Sequence, residues 1–569
     1  MKSTERNTIS KMNTVDYEKL AELLFPNVTK TTDDMEKLYP PRDLPEGAIV
    51  SRLAPSPTGF VHLGNLMQGL TSERLAHQSG GVLYLRVEDT DAKREVAGAS
   101  ETLIEMLSHY GIIFDEGASL DENGKICDKG AYGPYKQSQR AEIYHVYAKK
   151  LVREGKAYPC FCSEEELERF HAEQEAEKAN FGYYGKWAKW RDRPIEDIEN
   201  AIAEGKKWVL RFRSTGSIEH KFKYNDLIKG EVDITENDID HVLLKSDGIP
   251  TYHFAHAVDD HLMRTTHVVR GDEWLASLPF HIQLFQALGH KLPKYVHIGT
   301  LMKMDGTSKR KLSKRKDPEL ALSYYKSAGY PTQSVVEYIL TILNSNFEDW
   351  RRANPTAPID DFKFSAKKMN AAGSLFDIAK LCDVSKNIIS RMSADEVYDL
   401  VSEWAGEFDA EFFAEFTKSP DYTKAALSIG RGGSKPRKDF AVWSEVKGYM
   451  GFFYDKYYDA VGAYPENFSA ETISAALEKY LALYDKADEQ NVWFDKIKDV
   501  AESLGFARET KEYKADPDAY PGHVGDISAF IRVAVTGKQN SPDLYLVMQI
   551  LGEDKVRERI SNQIKRLRG

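Results

Sequence analysis

The chain is short of cysteine, with four in 569 residues, at positions 127, 160, 162 and 382. So few cannot staple a chain of this length, so a disulfide-built secreted fold is excluded and a reducing compartment, the cytoplasm, is the expected address. Long apolar runs are also missing. No stretch of about 18 apolar residues occurs, so no membrane-spanning helix is expected. The polar start from Met1 to Lys11 lacks the apolar stretch of about 7 to 15 residues that marks a secretory leader. Net positive charge is lacking too: 77 Lys and Arg stand against 88 Asp and Glu, a formal net charge of -11. A basic nucleic-acid coat is thereby excluded, although a local basic groove can still hold a nucleic acid. What is present suffices for folded cores, since 42% of residues are apolar and 11% aromatic, and the length corresponds to about four domains.

Residues 1–47 read as an appended arm, with a short amphipathic helix from Asp16 to Phe25 and a Pro/Gly-punctuated connector, Tyr39-Pro40-Pro41 and Leu44-Pro45-Glu46-Gly47. Ala48 to Leu53 is a predicted buried strand, stopped by the prolines of Ala54-Pro55-Ser56-Pro57-Thr58-Gly59 before a helix from about His62 to His77. A second strand, Val82 to Val87, ends on Glu88-Asp89-Thr90-Asp91, and a helix from Ala97 to Tyr110 follows. This alternation predicts a parallel sheet with ligands outside the carboxyl ends of its strands. Helices are expected over 141–154 and 164–178, and short strands over 207–245, so 155–245 reads as an α+β insertion. Tyr252 to Ala257 and His267 to Arg270 are expected to resume the sheet, covered by a helix from Ser277 to Leu288. Beyond about 320 the pattern is helical, with amphipathic runs at 334–343, 394–407, 470–486 and 541–551. The expected fold class is α/β, a doubly wound parallel-sheet domain with an insertion, followed by all-α C-terminal domains.

Two motifs carry chemistry. Arg52 to Asn65 runs from a strand tip through a tight loop into a helix start, whose unpaired N–H groups and dipole favour an anion such as triphosphate. Gly64 permits close backbone approach, and His62 can donate to phosphate oxygens. The bland alternative is a structural turn with a satisfied histidine. The second motif, Met304-Asp305-Gly306-Thr307-Ser308-Lys309-Arg310-Lys311-Leu312-Ser313-Lys314-Arg315-Lys316, reads as a mobile loop whose cations close over a pyrophosphate leaving group. A solvated basic loop or a phosphate-backbone contact is the alternative.

Taken together, His62-Leu63-Gly64-Asn65 and Lys311-Leu312-Ser313-Lys314-Arg315 resemble the two signatures of class I aminoacyl-tRNA synthetases. The flanking Ala-Pro-Ser-Pro-Thr-Gly narrows the resemblance to bacterial-type glutamyl-tRNA synthetases. Leu85 to Asp91, Gly133 to Arg140, Leu243 to His253, Val258 to Met263 and Arg270 to Leu275 are similar to further family segments in order, so the resemblance is dense over 48–345. It returns at Arg532 to Gly537 and Ile550 to Gly552.

The resemblance implies a nucleotide-binding catalytic domain at 48–154 and 246–320. It further implies an acceptor-binding insertion at 155–245, a helical stem-contact domain at 321–395 and a helical anticodon-binding domain at 396–569, after the 1–47 extension. For the glutamate substrate it implies Arg52 and Arg270 on the side-chain carboxylate, Glu88 on the ammonium, and Ala54, Ser56, Tyr252 and position 256 lining the pocket. The family usually has asparagine at 256; His256 here adds a titratable group and an expected pH dependence of glutamate affinity near about 6 to 7. For ATP it implies Thr58, His62, Glu273, Leu301, Met302 and Lys314, with His62, Gly64, Asn65, Lys311 and Lys314 as the catalytic set. Mg2+ is implied as a shield for the triphosphate, without a dedicated protein cage. The implied partners are L-glutamate and tRNA(Glu), with no membrane, and the chain is expected to be a monomer.

Cys160-Phe161-Cys162 resembles half of a zinc site found in some members, but Tyr183 to Trp190 offers no cysteine or histidine, with Trp187 about where a cysteine belongs, so zinc is not expected. Tyr183 to Arg193 interleaves aromatics with Lys186, Lys189, Arg191 and Arg193, which suits either a tRNA acceptor end or core aromatics under a solvated rim. In the anticodon region Ser374 to Leu381 matches the family. Cys382 to Ser390 lacks the usual tryptophan, Ser385 falls near an expected asparagine, and Arg391 lies near the position that reads the third anticodon base in discriminating members. Whether tRNA(Gln) is also charged therefore stays open. A catalytically silent tRNA-binding paralogue is the alternative of another class.

Overall fold

The computed structural model describes residues 16–91, 96–459, 461 and 464–569, so the Met1 to Lys11 segment lies outside the described residues. The chain divides into two compact units, 1–322 with 339–376 and 323–338 with 377–569. In the first unit, helix α1 (Tyr17–Leu24) is capped by Asp16, whose carboxylate accepts from the Lys19 N–H at 3.0 Å. Helix α2 (Thr32–Leu38) starts with a Thr31/Asp34 capping box. Leu20, Ala21, Phe25, Met35 and Tyr39 are buried, and Arg42 grips Glu116 through two hydrogen bonds of 2.8 and 3.0 Å. The described part of the expected arm is therefore built into the first unit's core.

Strand β1 (Val50–Leu53), helix α3 (Leu63–His77), strand β2 (Val82–Leu85), helix α4 (Ala99–His109) and strand β3 (Glu116–Leu120) follow in the expected alternation. β1 pairs with β2 and β2 with β3 in parallel, and β4 (Ile126–Lys129) folds back on β3. After α5 (Ala141–Arg153) the insertion supplies β5 (Ala157–Cys160), α6 (Glu164–Ala176), α7 (Ile195–Ala203), β6 (Val209–Phe212), β7 (Lys221–Asp226), β8 (Gly230–Thr235) and β9 (Val242–Leu244). β5, β6 and β9 form one antiparallel sheet, and β7 and β8 a hairpin.

The segment Tyr252 to Ala257, expected as a strand, is the first half of helix α8 (Tyr252–Leu262). Residues 254–260 are all buried there, and a segment as short as Tyr252 to Ala257 does not by periodicity alone distinguish a buried strand from the start of a buried helix. Strand β10 (His267–Gly271), helix α9 (Leu278–Leu288) and strand β11 (Lys294–Ile298) complete the layer, with β10 and β11 parallel. Thr266 joins β10 to β1 by exchanging hydrogen bonds with Val50 at 2.9 Å, so the strand sequence runs β11-β10-β1-β2-β3. The second motif is not the loop expected from its Gly and Ser content. Its front half is an antiparallel hairpin of β12 (Leu301–Asp305) and β13 (Ser308–Lys311), turning at Gly306. Arg310 is held by Asp305 and Asp317.

The elements of the second unit are helices: Leu322–Ala328 and the first part of Thr332–Leu343 in its short segment, then those from Ile378–Ile389 to Glu553–Leu567. Their apolar faces meet in one core that includes Val401, Phe412, Trp443, Leu477, Phe530, Val547 and Ile560.

Candidate active site

Pro55 and Pro57 end β1 and lead the chain to the α3 start. There the His62 N–H donates to Asn65 Oδ1 at 3.0 Å and the Asn65 N–H to the His62 carbonyl at 2.8 Å. Asn65 thus caps the helix and sets the backbone that carries the imidazole. That ring lies over residue 64, where a Cβ would sit 2.8 Å from Nδ1, so any side chain there would have to displace the imidazole from this position. Burial, and then the Lys311 charge, push the His62 pKa down to about 4. His62 is accordingly neutral at physiological pH, with one ring N–H to offer.

A cavity of about 210 Å³ opens at this helix start, lined among others by His62, Gly64, Glu273, Thr300, Leu301 and Lys311. The geometry brings together five sequence-predicted residues: His62, Gly64, Glu273, Leu301 and Lys311. Four others of the ATP and catalytic set do not line it: Asn65 is the helix cap, and the remaining three lie elsewhere. Thr58 is exposed on the Pro-Ser-Pro loop, Met302 is half-buried in β12, and the Lys314 ammonium rests 4.4 Å from the centre of the Phe60 ring. Sequence reasoning missed Thr300 and its neighbour Gly299, where a Cβ would fall 2.4 Å from the Gly373 Cα. A glycine at the end of a strand was the available signal.

The two arginines assigned to the substrate carboxylate sit in different surroundings. Arg52, 3% exposed, donates from Nε to Asp260 at 3.3 Å and from a terminal nitrogen to the Val269 carbonyl at 3.2 Å. Arg86 binds the other Asp260 oxygen at 2.6 Å and Glu88 at 3.1 Å. Burial opposes charge on Asp260, but Arg86 and Arg52 outweigh it and hold its pKa well below the usual range. For Glu88 burial wins over Arg86 and Arg52 and raises the pKa to about 6. Asp259, 3.9 Å from Arg86 Nε and 2.7 Å from Arg140 Nε, extends the cluster to three cations and three carboxylates, and Arg52 is already matched within the protein.

Arg270, also 3% exposed, has no carboxylate within ion-pair distance among the described residues. Its Nε donates to His297 Nε2 at 3.0 Å, one terminal nitrogen lies 3.0 Å from His281 Nδ1, the other reaches the Trp274 carbonyl at 3.4 Å, and the guanidinium lies 4.4 Å from the Tyr295 ring centre. Burial lowers the pKa of both His281 and His297, so neither adds charge. A buried cation without an anion is costly, and this pocket is short of one negative charge.

Tyr252 packs on Trp274 at 4.3 Å and lies parallel to His256 at 5.8 Å. His256 is buried between the Tyr295 hydroxyl, 2.9 Å from Nε2, and Asp260, 2.6 Å from Nδ1. Burial is the largest effect and lowers its pKa to about 4 in spite of Asp260. The expected titration of His256 near 6 to 7 is therefore overturned. Ala54 is half-buried and Ser56 exposed at the mouth of the loop.

In the insertion, the Tyr183 to Arg193 segment combines core aromatics with an ion-paired rim. Tyr183 and Trp187 are buried in a small cluster with Tyr158 and Cys160, while Lys186, Lys189, Arg191 and Arg193 pair with Glu177, Glu166, Asp240 and Asp197. The Tyr183 hydroxyl sits 3.4 and 3.5 Å from the Cys160 and Cys162 sulfurs.

Residues 48–351, more than half of the chain, match the model of the catalytic domain of class I tRNA synthetases (E and Q), and 521–564 match that of an anticodon binding domain. A glutamate–tRNA ligase of Acetivibrio thermocellus is 51% identical over 96% of this chain and 99% of its own length. The chain belongs to the bacterial-type class I glutamyl-tRNA synthetases. The glutamate–tRNA ligase of Clostridium perfringens strain 13, another member, is 50% identical over 96% of this chain and 100% of its own. Among solved structures of glutamyl-tRNA synthetases, that of the Elizabethkingia meningosepticum ligase in complex with its amino acid superposes with a TM-score of 0.70, at 25% identity over 91% of this chain and 99% of that one.

Proposed function

We propose that the β1–α3 cavity and the Arg270 pocket form one site, at which L-glutamate is activated by ATP to glutamyl-AMP before transfer to the 3' end of tRNA(Glu). The observation that carries this reading is the buried Arg270 without a carboxylate, next to a helix start suited to triphosphate. The substrate's side-chain carboxylate supplies the missing charge, Glu88 accepts from its ammonium, and Tyr252 walls the pocket. Glutamine's amide leaves Arg270 unanswered, at a cost of about 1.5–3 kcal/mol per lost charge-assisted hydrogen bond. Arg52 acts as the wall behind this pocket: through Asp260 it holds the Arg86–Glu88 pair in place.

The triphosphate lies against the α3 start, with the neutral His62 N–H and the Lys311 cation on its oxygens and the adenosine toward Glu273 and Leu301. The glutamate α-carboxylate attacks the α-phosphorus, the bond to the bridging oxygen breaks, and pyrophosphate leaves with the electron pair. Positioning and charge stabilisation carry such a step. Mg2+ enters as part of the MgATP substrate and shields the triphosphate charge. Lys314 completes the set by leaving Phe60 when the triphosphate binds.

The insertion contacts the acceptor end and the rear helices read the anticodon, in a monomeric cytoplasmic enzyme. No helix of the described residues is long and apolar enough to cross a membrane. The test is aminoacylation of separate tRNA(Glu) and tRNA(Gln) transcripts with glutamate and ATP. Glutamyl-tRNA(Glu) is expected; its absence overturns the reading, and the tRNA(Gln) reaction decides anticodon discrimination.

A further inference from the structure

Arg270 is oriented by groups that do not neutralise it, and the chain of contacts behind it runs into the insertion. Parallel register places Arg270 on β10 opposite His297 on β11, and the end of β7 brings Asp226 against the far side of that imidazole. His297 and Asp226 are 0% and 1% exposed. One Asp226 oxygen accepts from the Ile228 and Lys229 N–H groups at 2.9 and 2.8 Å; the other lies 2.7 Å from His297 Nδ1. Burial opposes the charge of Asp226, but these hydrogen bonds, led by His297, keep its pKa below the ordinary aspartate value.

The donor and acceptor inventory allows one arrangement. An ionised carboxylate only accepts, so the proton of neutral His297 sits on Nδ1. Its Nε2 then carries the lone pair that takes the Arg270 Nε–H, because a guanidinium only donates. A carboxylate placed directly on Arg270 would fix it equally well but would also satisfy its charge, removing the demand for an anionic substrate. Setting a neutral imidazole between the two fixes the fork and leaves its charge available.

We infer that Asp226 and His297 are positioning residues that hold Arg270 in its carboxylate-accepting orientation and thereby set the preference for glutamate over glutamine. This rests on Arg270 being the carboxylate clamp. Exchanging Asp226 for asparagine keeps an oxygen for the turn at 228–229 but presents an N–H to His297. The imidazole proton is then driven to Nε2, where it faces the Arg270 N–H, a tautomer inversion of the kind known for an aspartate-to-asparagine change behind a histidine.

The experiment measures tRNA(Glu) charging by the full-length enzyme with glutamate varied, with glutamine as competing substrate and the ATP KM as a control for the fold. D226N is expected to raise the glutamate KM about 10- to 100-fold and to lower glutamate-over-glutamine selectivity in parallel, with kcat and the ATP KM changed less than about threefold. H297F is expected to match it, H297Q, which retains an acceptor, to be impaired at least about fivefold less, and D226N/H297F to be no worse than H297F, because Asp226 acts through the imidazole. An additive double variant, or a glutamate KM within about threefold of wild type in H297F, overturns the inference. If D226N does not accumulate, H297F against H297Q decides it. R270L separates the two levels: normal charging by R270L removes the clamp reading itself, whereas loss in R270L with a near-normal H297F removes only the relay.

Discussion

Two buried arginines about one strand apart show how surroundings divide a chemistry that sequence alone treats as shared. Around Arg52, the residues Asp260, Arg86, Glu88, Asp259 and Arg140 close a balanced cluster of six charges. Around Arg270, histidines held neutral by burial and the Tyr295 ring supply contacts without charge. The balanced cluster gives the site its rigidity, and the unbalanced one gives it a reason to bind an anion.

The comparison can be broken most sharply at Arg270. R270L is expected to lower kcat/KM for glutamate about 30- to 5,000-fold, the range for removing one partner of a buried charge pair, while the ATP KM stays near wild type; steady-state aminoacylation with each substrate varied reads both. Glu88 sharpens the other side. Its carboxylate form meets the substrate ammonium, and its pKa of about 6 in the free protein means that this form is present above pH 6 and lost below it. The glutamate KM is therefore expected to be flat from pH 7 to 8.5 and to rise toward tenfold per pH unit below about 6, and E88Q should flatten that rise. The smallest effect is expected for H256N. Because His256 is neutral throughout this range, the variant should leave the shape of the pH profile alone and change the glutamate KM by less than about threefold; a profile whose inflection moves would reinstate His256 as the titrating group.

Much of the site was legible along the chain. The helix start at His62 and the strands leading to Glu88 and Arg270 are local patterns, and these elements stand where periodicity and proline placement put them, whereas the two signatures were legible only by resemblance. What was not legible depends on partners far away in sequence. Nothing near Arg52 announces Asp260, 208 positions on, and nothing near Arg270 announces Asp226 behind His297. His256 looked like a titrating residue because its burial belongs to tertiary structure. Helix α8 was misread because the six residues from Tyr252 to Ala257 are too short a segment for periodicity to separate a buried strand from a buried helix. The cations at 186–193 looked available for a nucleic acid because their carboxylates, such as Glu166 and Asp240, come from other elements. The β12–β13 hairpin was hidden because a basic, Gly- and Ser-containing stretch has no strand-like composition; pairing between Met302 and Lys311, together with the Asp305 and Asp317 ion pairs of Arg310, orders it.

The most direct test of matched against unmatched charge is the unfolding free energy of R52L and R270L measured side by side by denaturant titration without substrates. Removing Arg52 strips Asp260 of one of its two guanidinium partners and should cost about 3 to 5 kcal/mol, whereas removing Arg270 relieves a buried cation that has no anion and should leave stability equal or higher. Opposite behaviour of the two variants is the predicted result. A loss of stability in R270L as large as that in R52L would contradict the account.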